Sequence, residues 1–238
     1  TSFEEMFDKL RPMYYAAKEK AKRESTAEFK KGVGIALGIY GCGIDGPDSS
    51  ETAVELTEDS VTVYASWEDH GQGADMGVLG TAHKALQPLK IDPSQIKLVM
   101  NDTAITPNSG PAGGSRSQVV TGNSIKNGCE ELLNAMRKPD GSYRTYDEMI
   151  AGGIPLKYAG KWTAASATPC DENGQGKPFL VYMYGVFMTE VTVNTNNGKT
   201  VVDKITVMAD AGKINNRLVV DGQIYGGVAQ GVGLALSE

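Results

Sequence analysis

Cysteine, histidine and long apolar runs are what this sequence has least of. Its 238 residues include three cysteines, Cys42, Cys129 and Cys170, and two histidines, His70 and His83. No C-x-x-C pair occurs, which argues against a zinc knuckle or an iron–sulfur cluster built within the chain. An odd number of widely spaced cysteines reads as free thiols in a reducing compartment, so a cytoplasmic location is expected. Two histidines leave little for a His-rich metal site or a Ser–His–Asp triad. No run approaches the roughly 18 apolar residues of a membrane span, and no signal-peptide pattern is visible. A net charge of −6 supplies no basic surplus, which speaks against general nucleic-acid binding.

What is there is the balance of a soluble globular protein, 40% hydrophobic and 22% charged, with length for one large core or two modest ones. At the start, Ser2 and Glu5 stand at capping-box spacing before Phe3, Met6, Phe7 and Leu10, predicting a helix. The last stretch, GQIYGGVAQGVGLALSE, places small and apolar residues at helical spacing with no cap after them. That ending predicts a piece of a longer polypeptide.

Between these ends the pattern alternates. Residues 1–31 read as one or two charged helices around Pro12, with KEKAKRE as solvated surface. KGVGIALGIYGCGIDGPDSS reads as a buried strand and a loop. Ala53–Leu56 and Val61–Tyr64 alternate around Thr57-Glu-Asp-Ser60 as a hairpin. A helix follows to about Leu86, then a strand at Ile96–Met100, then a helix over Gln118–Arg137. Residues 138–178 look irregular. Two alternating strands, Phe179–Asn194 and Thr200–Ala209, flank Thr195-Asn-Asn-Gly198, and Val219–Ser237 forms the final helix. The expected fold class is α+β, mixed sheets with helices in two linked subdomains: 1–137, a linker 138–178, and 179–238.

Three segments could carry chemistry. In His70-Gly-Gln-Gly73 a glycine turn lies between a strand and a helix, where exposed N–H groups and the helix dipole suit an anion. Gln72 can both donate and accept, which suits a heterocycle or a phosphate. The plain alternative is a turn that needs positive φ. In Pro107-Asn-Ser-Gly-Pro-Ala-Gly-Gly-Ser-Arg-Ser117, Gly113 and Gly114 allow close backbone approach. Ser115 and Ser117 can cap or donate, and Arg116 brings positive charge, so the stretch fits an anion nest or a flexible capped loop. In Asp221-Gly-Gln-Ile-Tyr-Gly-Gly-Val-Ala-Gln-Gly231 the small residues suit tight helix packing. Gln223 and Gln230 on such a face would need partners. His70 and His83 read as structural, and Asp75, Asp102 and Asp210 as caps or strand-end residues.

WEDHGQGADMG, PNSGPAGGSRSQ and DGQIYGG-AQG, in this order, resemble the molybdenum-binding large region of the xanthine oxidase family of molybdenum hydroxylases. The likeness lies nearest the bacterial aldehyde oxidoreductases that use molybdopterin cytosine dinucleotide, and runs from about Lys31 to the end. The resemblance implies a parent enzyme that oxidises an aldehyde to a carboxylic acid with oxygen from water. Its electrons would leave through [2Fe–2S] domains elsewhere, and the parent could be homodimeric. It implies a metal held by the pterin dithiolene, without protein metal ligands in this chain. By the motif match, Gly71, Gln72 and Gly73 would contact the cofactor, Gly113, Gly114, Ser115, Arg116 and Ser117 would hold pterin or phosphate, and Gln223 would bond the pterin. Gly114 would lie nearest the molybdenum.

The sequence departs from that pattern as well. The family's general-base glutamate, in a Gly-Val-Gly-Glu segment, has no match here, since Glu238 fits the helix end. No catalytic residue is therefore assigned, and the segment by itself is expected to be inactive. Two other readings stay open. Gly71-x-Gly73-x-x-x-Gly77 with Asp102 could be a degenerate nicotinamide-dinucleotide fingerprint. The glycine loops could also serve packing alone, in a module that binds no small molecule.

Overall fold

Alternation of charge and of apolar side chains explains most of the elements seen in a computed structural model, which describes residues 2–238. The first helix, α1, spans Phe3–Glu24; it has Glu4 and Glu5 in its first turn and Lys22 and Arg23 in its last, matching the helix dipole. Pro12 lies inside it, and Met6, Leu10 and Ala17 form the buried face. The expected capping box is not made. Ser2 sits at the N-cap in a right-handed helical conformation, φ −64°, and its side chain makes no cap hydrogen bond.

The chain divides into two compact units. One comprises the residues through Tyr40, Tyr182–Lys213 and Val228–Glu238. It contains α1 and a sheet ordered β1-β6-β7, with β1 at Phe29–Cys42, β6 at Val181–Asn194 and β7 at Thr200–Asp210. Strands β6 and β7 pair antiparallel as expected, from Val193↔Thr200 to Tyr184↔Asp210. Their connection is longer than a two-residue turn, and Gly198 is its one residue at positive φ, +72°. Met6 and Leu10 of α1 pack with Val186 and Met188 of β6 in this unit's core.

Strand β1 is not the buried strand that its composition suggests. Ile35, Leu37, Ile39 and Tyr40 are 41–60% exposed. Side chains of a strand point to the faces of its sheet, and the described residues do not cover Leu37 or Ile39. Apolar content records that a face needs cover, not which segment supplies it.

The other unit, Gly41–Val181 with Ile214–Gly227, holds all the candidate site residues. Its sheet is ordered β4-β3-β2-β5: β2 Ser49–Leu56, β3 Val61–Ala65, β4 Ile96–Met100 and β5 Lys157–Thr163. The hairpin β2–β3 closes at Leu56↔Val61. Helix α2, Ala74–Ala85, links β3 to β4, which run parallel from Val61↔Ile96 to Ala65↔Met100. Helix α3, Ser117–Met136, packs on β2 and β5. Val54, Val63, Val78, Ile125 and Leu132 form the centre of a continuous core, each without exposed surface. Side chains of this kind stabilise by about 1.5–3 kcal/mol apiece when fully buried.

The stretch 138–178, expected to be irregular, contains α4 at Tyr146–Ala151 and the whole of β5. Strand β5 pairs with β2 over Ser49↔Thr163 to Glu55↔Lys157 and so completes the sheet. Its sequence, KYAGKWT, hides this role because its key contact is made by a glycine. A Cβ on Gly160 would come within 2.1 Å of the Ser124 carbonyl oxygen, so only glycine lets α3 approach this closely. Ser124 Oγ donates to Gly160 O at 2.9 Å along the same seam. A thiol, Cys129, is buried there as well, and burial pushes its pKa up to about 12. None of the three cysteines is in a disulfide.

The last helix, α5, covers Arg217–Leu236, and none of its residues is buried. Gln223 and Gln230, expected on a packed face, are exposed. Cβ atoms at Gly222, Gly226, Gly227 and Gly231 would meet nothing within 4 Å, so the small-residue stripe has no neighbour among the described residues. No helix of the described residues is long and apolar enough to cross a membrane.

Candidate cofactor-binding site

Because β3 and β4 are parallel neighbours, the turns that follow them leave from the same end of the sheet. Ligands of open α/β sheets sit beyond the carboxyl ends of parallel strands, where loops meet helix N-termini. The two turns are fastened to each other just beyond the strands. Ser66 N donates to Ser109 Oγ at 2.9 Å, Ser109 N to Ser66 Oγ at 2.8 Å, and Ser66 Oγ to Pro107 O at 2.9 Å. Ser109 Oγ in turn donates to Glu51 O at 2.9 Å, anchoring both to β2.

The first turn, from Glu68 into α2, is organised by Asp69. Its Oδ1 accepts from Gly71 N at 2.8 Å and from Gly73 N at 3.1 Å, and its Oδ2 from Asp75 N at 3.3 Å. The hydrogen bond from Gly71 N, with those from the following amides, holds the Asp69 carboxyl below its ordinary value. Gln72 closes the turn: its Nε2 donates to Glu68 O at 2.8 Å and its Oε1 accepts from His70 N at 2.6 Å. One N–H and one lone pair of that amide are uncommitted. The side of Gly71 where a Cβ would project is open, with nothing within 4 Å. A side-chain oxygen of Glu68, Oε2, is shut off from solvent and has no hydrogen-bond partner. His70 serves the turn through its backbone.

The second turn, between β4 and α3, is organised by a cation. Arg116 is 1% exposed, and its side chain runs inward. Nε donates to Asp48 Oδ2 at 2.7 Å, Nη1 to Ser109 O at 2.8 Å and Pro111 O at 3.1 Å, and Nη2 to Ser49 O at 2.6 Å. The guanidinium expected to face an anion is instead spent on tying the loop to β2 and to Asp48. Gly114 and Ser115 are left-handed, φ +61° and +53°, and Arg116 returns to the right-handed region, φ −78°. Such an alternation turns successive N–H groups toward one side. Gly113, Gly114 and Ser115 are exposed and donate no hydrogen bond among the described residues. Gly114 has no substitute, because a Cβ there would lie 2.6 Å from the oxygen of Gly43, whose N–H donates to Gly114 O at 2.9 Å. Ser117 is buried at the start of α3.

The third segment reaches the other two through residues that sequence reasoning missed. Asn215 Nδ2 lies 3.1 Å from Gly77 O, 3.2 Å from Thr81 Oγ1 and 3.3 Å from Gln118 Oε1. Gln118 Nε2 adds a bond to Thr81 Oγ1 at 3.2 Å. One amide thus joins the lead-in of α5 to α2 and α3. Val219 of α5 packs on Gly73, where a Cβ would come within 2.9 Å of its Cγ2. Gln223 lies one turn beyond Val219 and is exposed, and its side chain makes no hydrogen bond among the described residues. The signal available in sequence was Lys213-Ile-Asn-Asn-Arg217, a polar cluster before a helix that reads as an ordinary cap.

No group of three or more His, Cys, Asp or Glu side chains among the described residues could hold a metal ion. What the site offers is backbone donors, amides and open glycine faces, a donor set suited to an organic ligand. Asp102 Oδ1 accepts from Ala104 N at 2.9 Å and shapes a turn, as expected of a strand-end residue.

Known proteins fit this architecture. The aldehyde oxidoreductase of Megalodesulfovibrio gigas is 60% identical over 239 residues, spanning 100% of this chain and 26% of that protein. The crystal structure of the aldehyde oxidoreductase from Desulfovibrio desulfuricans superposes with a TM-score of 0.96 at 64% identity, over 98% of this chain and 26% of that one. Quinoline 2-oxidoreductase from Pseudomonas putida shares the fold at 17% identity and a TM-score of 0.73, over 98% of this chain and 33% of that one. The chain therefore spans about a quarter of the length of its aldehyde oxidoreductase relatives. The molybdopterin cofactor-binding domain profile matches residues 9–238. With its two glycine turns on parallel strands and that match along nearly its whole length, the chain belongs to the molybdopterin cofactor-binding domain family, as a segment of a xanthine oxidase family enzyme.

Proposed function

We propose that the full-length polypeptide carrying this sequence oxidises aldehydes to carboxylic acids, and that this segment holds its molybdopterin, as the cytosine dinucleotide. The overall change is RCHO + H2O → RCOOH + 2 H⁺ + 2 e⁻. The observation that carries the reading is the pair of glycine turns leaving neighbouring parallel strands, locked together by Ser66 and Ser109. The residues fit an extended organic cofactor. Gly71 and Gly113 leave open faces, and Glu68 keeps a side-chain oxygen in want of a donor.

On this reading Gly71, Gln72 and Gly73 contact the pterin, with Gln72 donating and accepting through its uncommitted amide positions. Gly113, Gly114 and Ser115 present N–H groups to an oxygen-rich part of the cofactor, and Ser117 begins the helix behind them. Arg116 works by position, holding that loop against Asp48 and Ser49. Gln223 reaches the cofactor from α5. The bound group supplies the two-electron redox chemistry that no side chain here provides. Electrons pass on to [2Fe–2S] centres in other parts of the full-length enzyme. An aldehyde is favoured over a heterocycle because the relative at 60% identity is an aldehyde oxidoreductase.

A nicotinamide dinucleotide is disfavoured by one observation: its pyrophosphate would need the N-terminus of α2, where the Asp69 carboxylate already accepts from Gly73 N and Asp75 N. The test is to isolate the full-length protein from a host that makes the cofactor and to assay molybdenum together with the nucleotide released by acid. Molybdenum with CMP is expected. Neither metal nor CMP would sink the proposal, and GMP or no nucleotide would sink its cytosine form alone.

A further inference from the structure

We infer that Asn215 is a positioning residue, whose amide seats the start of α5 on α2 and α3 and so aims Gln223 at the cofactor. The inference rests on the cofactor reading and adds to it how the third segment is brought to the other two. No residue of α5 is buried, so apolar packing does little to set its course. Two contacts with α2 mark that course. Asn215 Nδ2 lies 3.1 Å from Gly77 O and 3.2 Å from Thr81 Oγ1, besides 3.3 Å from Gln118 Oε1 of α3. Val219, four residues later, lies against Gly73, the N-cap of α2. The earlier residue of one segment meets the later residues of the other. The start of α5 therefore runs antiparallel to α2 and passes the α2 N-terminus at Val219. Gln223 lies about 6 Å farther on at the ordinary helical rise. That step carries it past α2, at the end of the sheet where the turns after β3 and β4 leave. Asn216 makes the joint stiff, since its Oδ1 caps α5 by accepting from Leu218 N at 3.0 Å and Val219 N at 3.3 Å.

The glycines inside the helices are an independent sign of the same seat. Glycine is the poorest helix former after proline, yet α2 contains Gly77 and Gly80, and α3 contains Gly122. Each of the three lies against an amide of this network. A Cβ on Gly80 would come within 2.9 Å of Asn215 Oδ1, and the atoms nearest to it all belong to the Asn215 amide. A Cβ on Gly122 would come within 3.1 Å of Gln118 Nε2, which itself reaches Thr81 Oγ1 at 3.2 Å. One on Gly77 would lie 3.4 Å from Gln118 Oε1, as well as striking the Trp67 ring at 2.8 Å. Gly80 thus has a use that helix formation alone does not give it: it leaves room for Asn215.

The experiment uses the full-length polypeptide, with hydrogen exchange followed by mass spectrometry at residues 214–224. In protein from a host that makes no molybdenum cofactor, Asn215→Ala is expected to speed exchange there about fivefold. Asn215→Asp keeps the shape but turns an oxygen toward Gly77 O and Gln118 Oε1, and it is expected to speed exchange further. Gly80→Ala is expected to act like Asn215→Ala, and to add nothing once Asn215 is alanine. It carries the test if Asn215→Ala does not fold. Unchanged exchange in Asn215→Ala, or an Asp variant that behaves as the wild type, would overturn the inference. The second readout is molybdenum per folded protein from a cofactor-producing host. Asn215→Ala and Gln223→Ala are each expected to lower it severalfold, and the double variant no further than Gln223→Ala. Falls that multiply would show a merely structural residue and overturn the positioning role. Full molybdenum in Gln223→Ala would do the same, because Asn215 would then have nothing to position. A wild type that takes up no molybdenum would sink the cofactor reading, and with it the role of Gln223. The exchange rates would still decide whether Asn215 seats α5.

Discussion

The turns after β3 and after β4 have nearly the same signature in sequence and opposite electrostatics in structure. In the first, an exposed anion, Asp69, gathers backbone N–H groups from outside. In the second, a buried cation, Arg116, gathers backbone carbonyls and Asp48 from inside. The difference teaches that a glycine turn is defined by which of its backbone groups are left over. The carboxylate uses up donors and leaves little for an anion. The guanidinium uses up acceptors and leaves the donors of Gly113, Gly114 and Ser115 available.

The largest effect should come from the cation. Arg116→Ala leaves Asp48 buried without its counter-charge and strips donors from the carbonyls of Ser49, Ser109 and Pro111. A loss of about 3–5 kcal/mol is expected for breaking such a pair from one side. Urea denaturation of the full-length protein checks this, and an unchanged midpoint would mean that the arginine does not hold the loop. Gly114→Ala comes next. An alanine at φ +61° costs about 1–2 kcal/mol before the overlap with Gly43 O is counted. Its cofactor content should fall together with its stability, whereas alanine at the open, ordinary-φ position Gly113 should cost little stability. Asn215→Ala should cost about 1 kcal/mol, the worth of one lost hydrogen-bonding amide, and loosen α5 from α2 and α3. Faster hydrogen exchange at the start of α5 would report it.

The smallest effect belongs to Asp69 and depends on pH. Its carboxyl is depressed in the folded chain, so its contribution to stability is complete above the ordinary aspartate value of 3.8. That contribution is lost as pH falls through that value and on through the lower folded one. Asp69→Asn should therefore have a lower urea midpoint than the wild type at pH 7, as pH 7 lies well above both. The two midpoints should draw together on acidification toward about pH 2. A difference that is constant across this range would show that the charge is not what holds the turn.

Long periodic segments were legible in the sequence. α2, α3, α5, the β2–β3 hairpin and the β6–β7 pair each follow from alternation or helical spacing plus turn residues. Strand β5 was not, because Gly160 contributes closeness to α3 where a reader looks for an apolar side chain. The exposure of β1 and α5 was not legible either, since composition cannot say what covers a face. At the site, the two glycine turns stood out, but the direction in which Arg116 points did not. Arginine in a glycine loop suits an anion, and only the positions of Asp48 and three carbonyls turn it inward. Asp69 lay in plain sight in Trp-Glu-Asp-His-Gly-Gln-Gly. Its function as the turn's own anion depends on distances that spacing alone does not supply.

The most direct test of the account is the ratio of molybdenum to protein in full-length wild type and in Gln72→Ala, both loaded in the same cofactor-producing host. Gln72 closes its turn with two hydrogen bonds and keeps one N–H and one lone pair beyond them; the loss of two bonds at a half-buried position should cost about 1–2 kcal/mol, so the variant should still fold. Its molybdenum content should nonetheless fall severalfold. Full molybdenum occupancy in Gln72→Ala would contradict the assignment of the first turn to the cofactor.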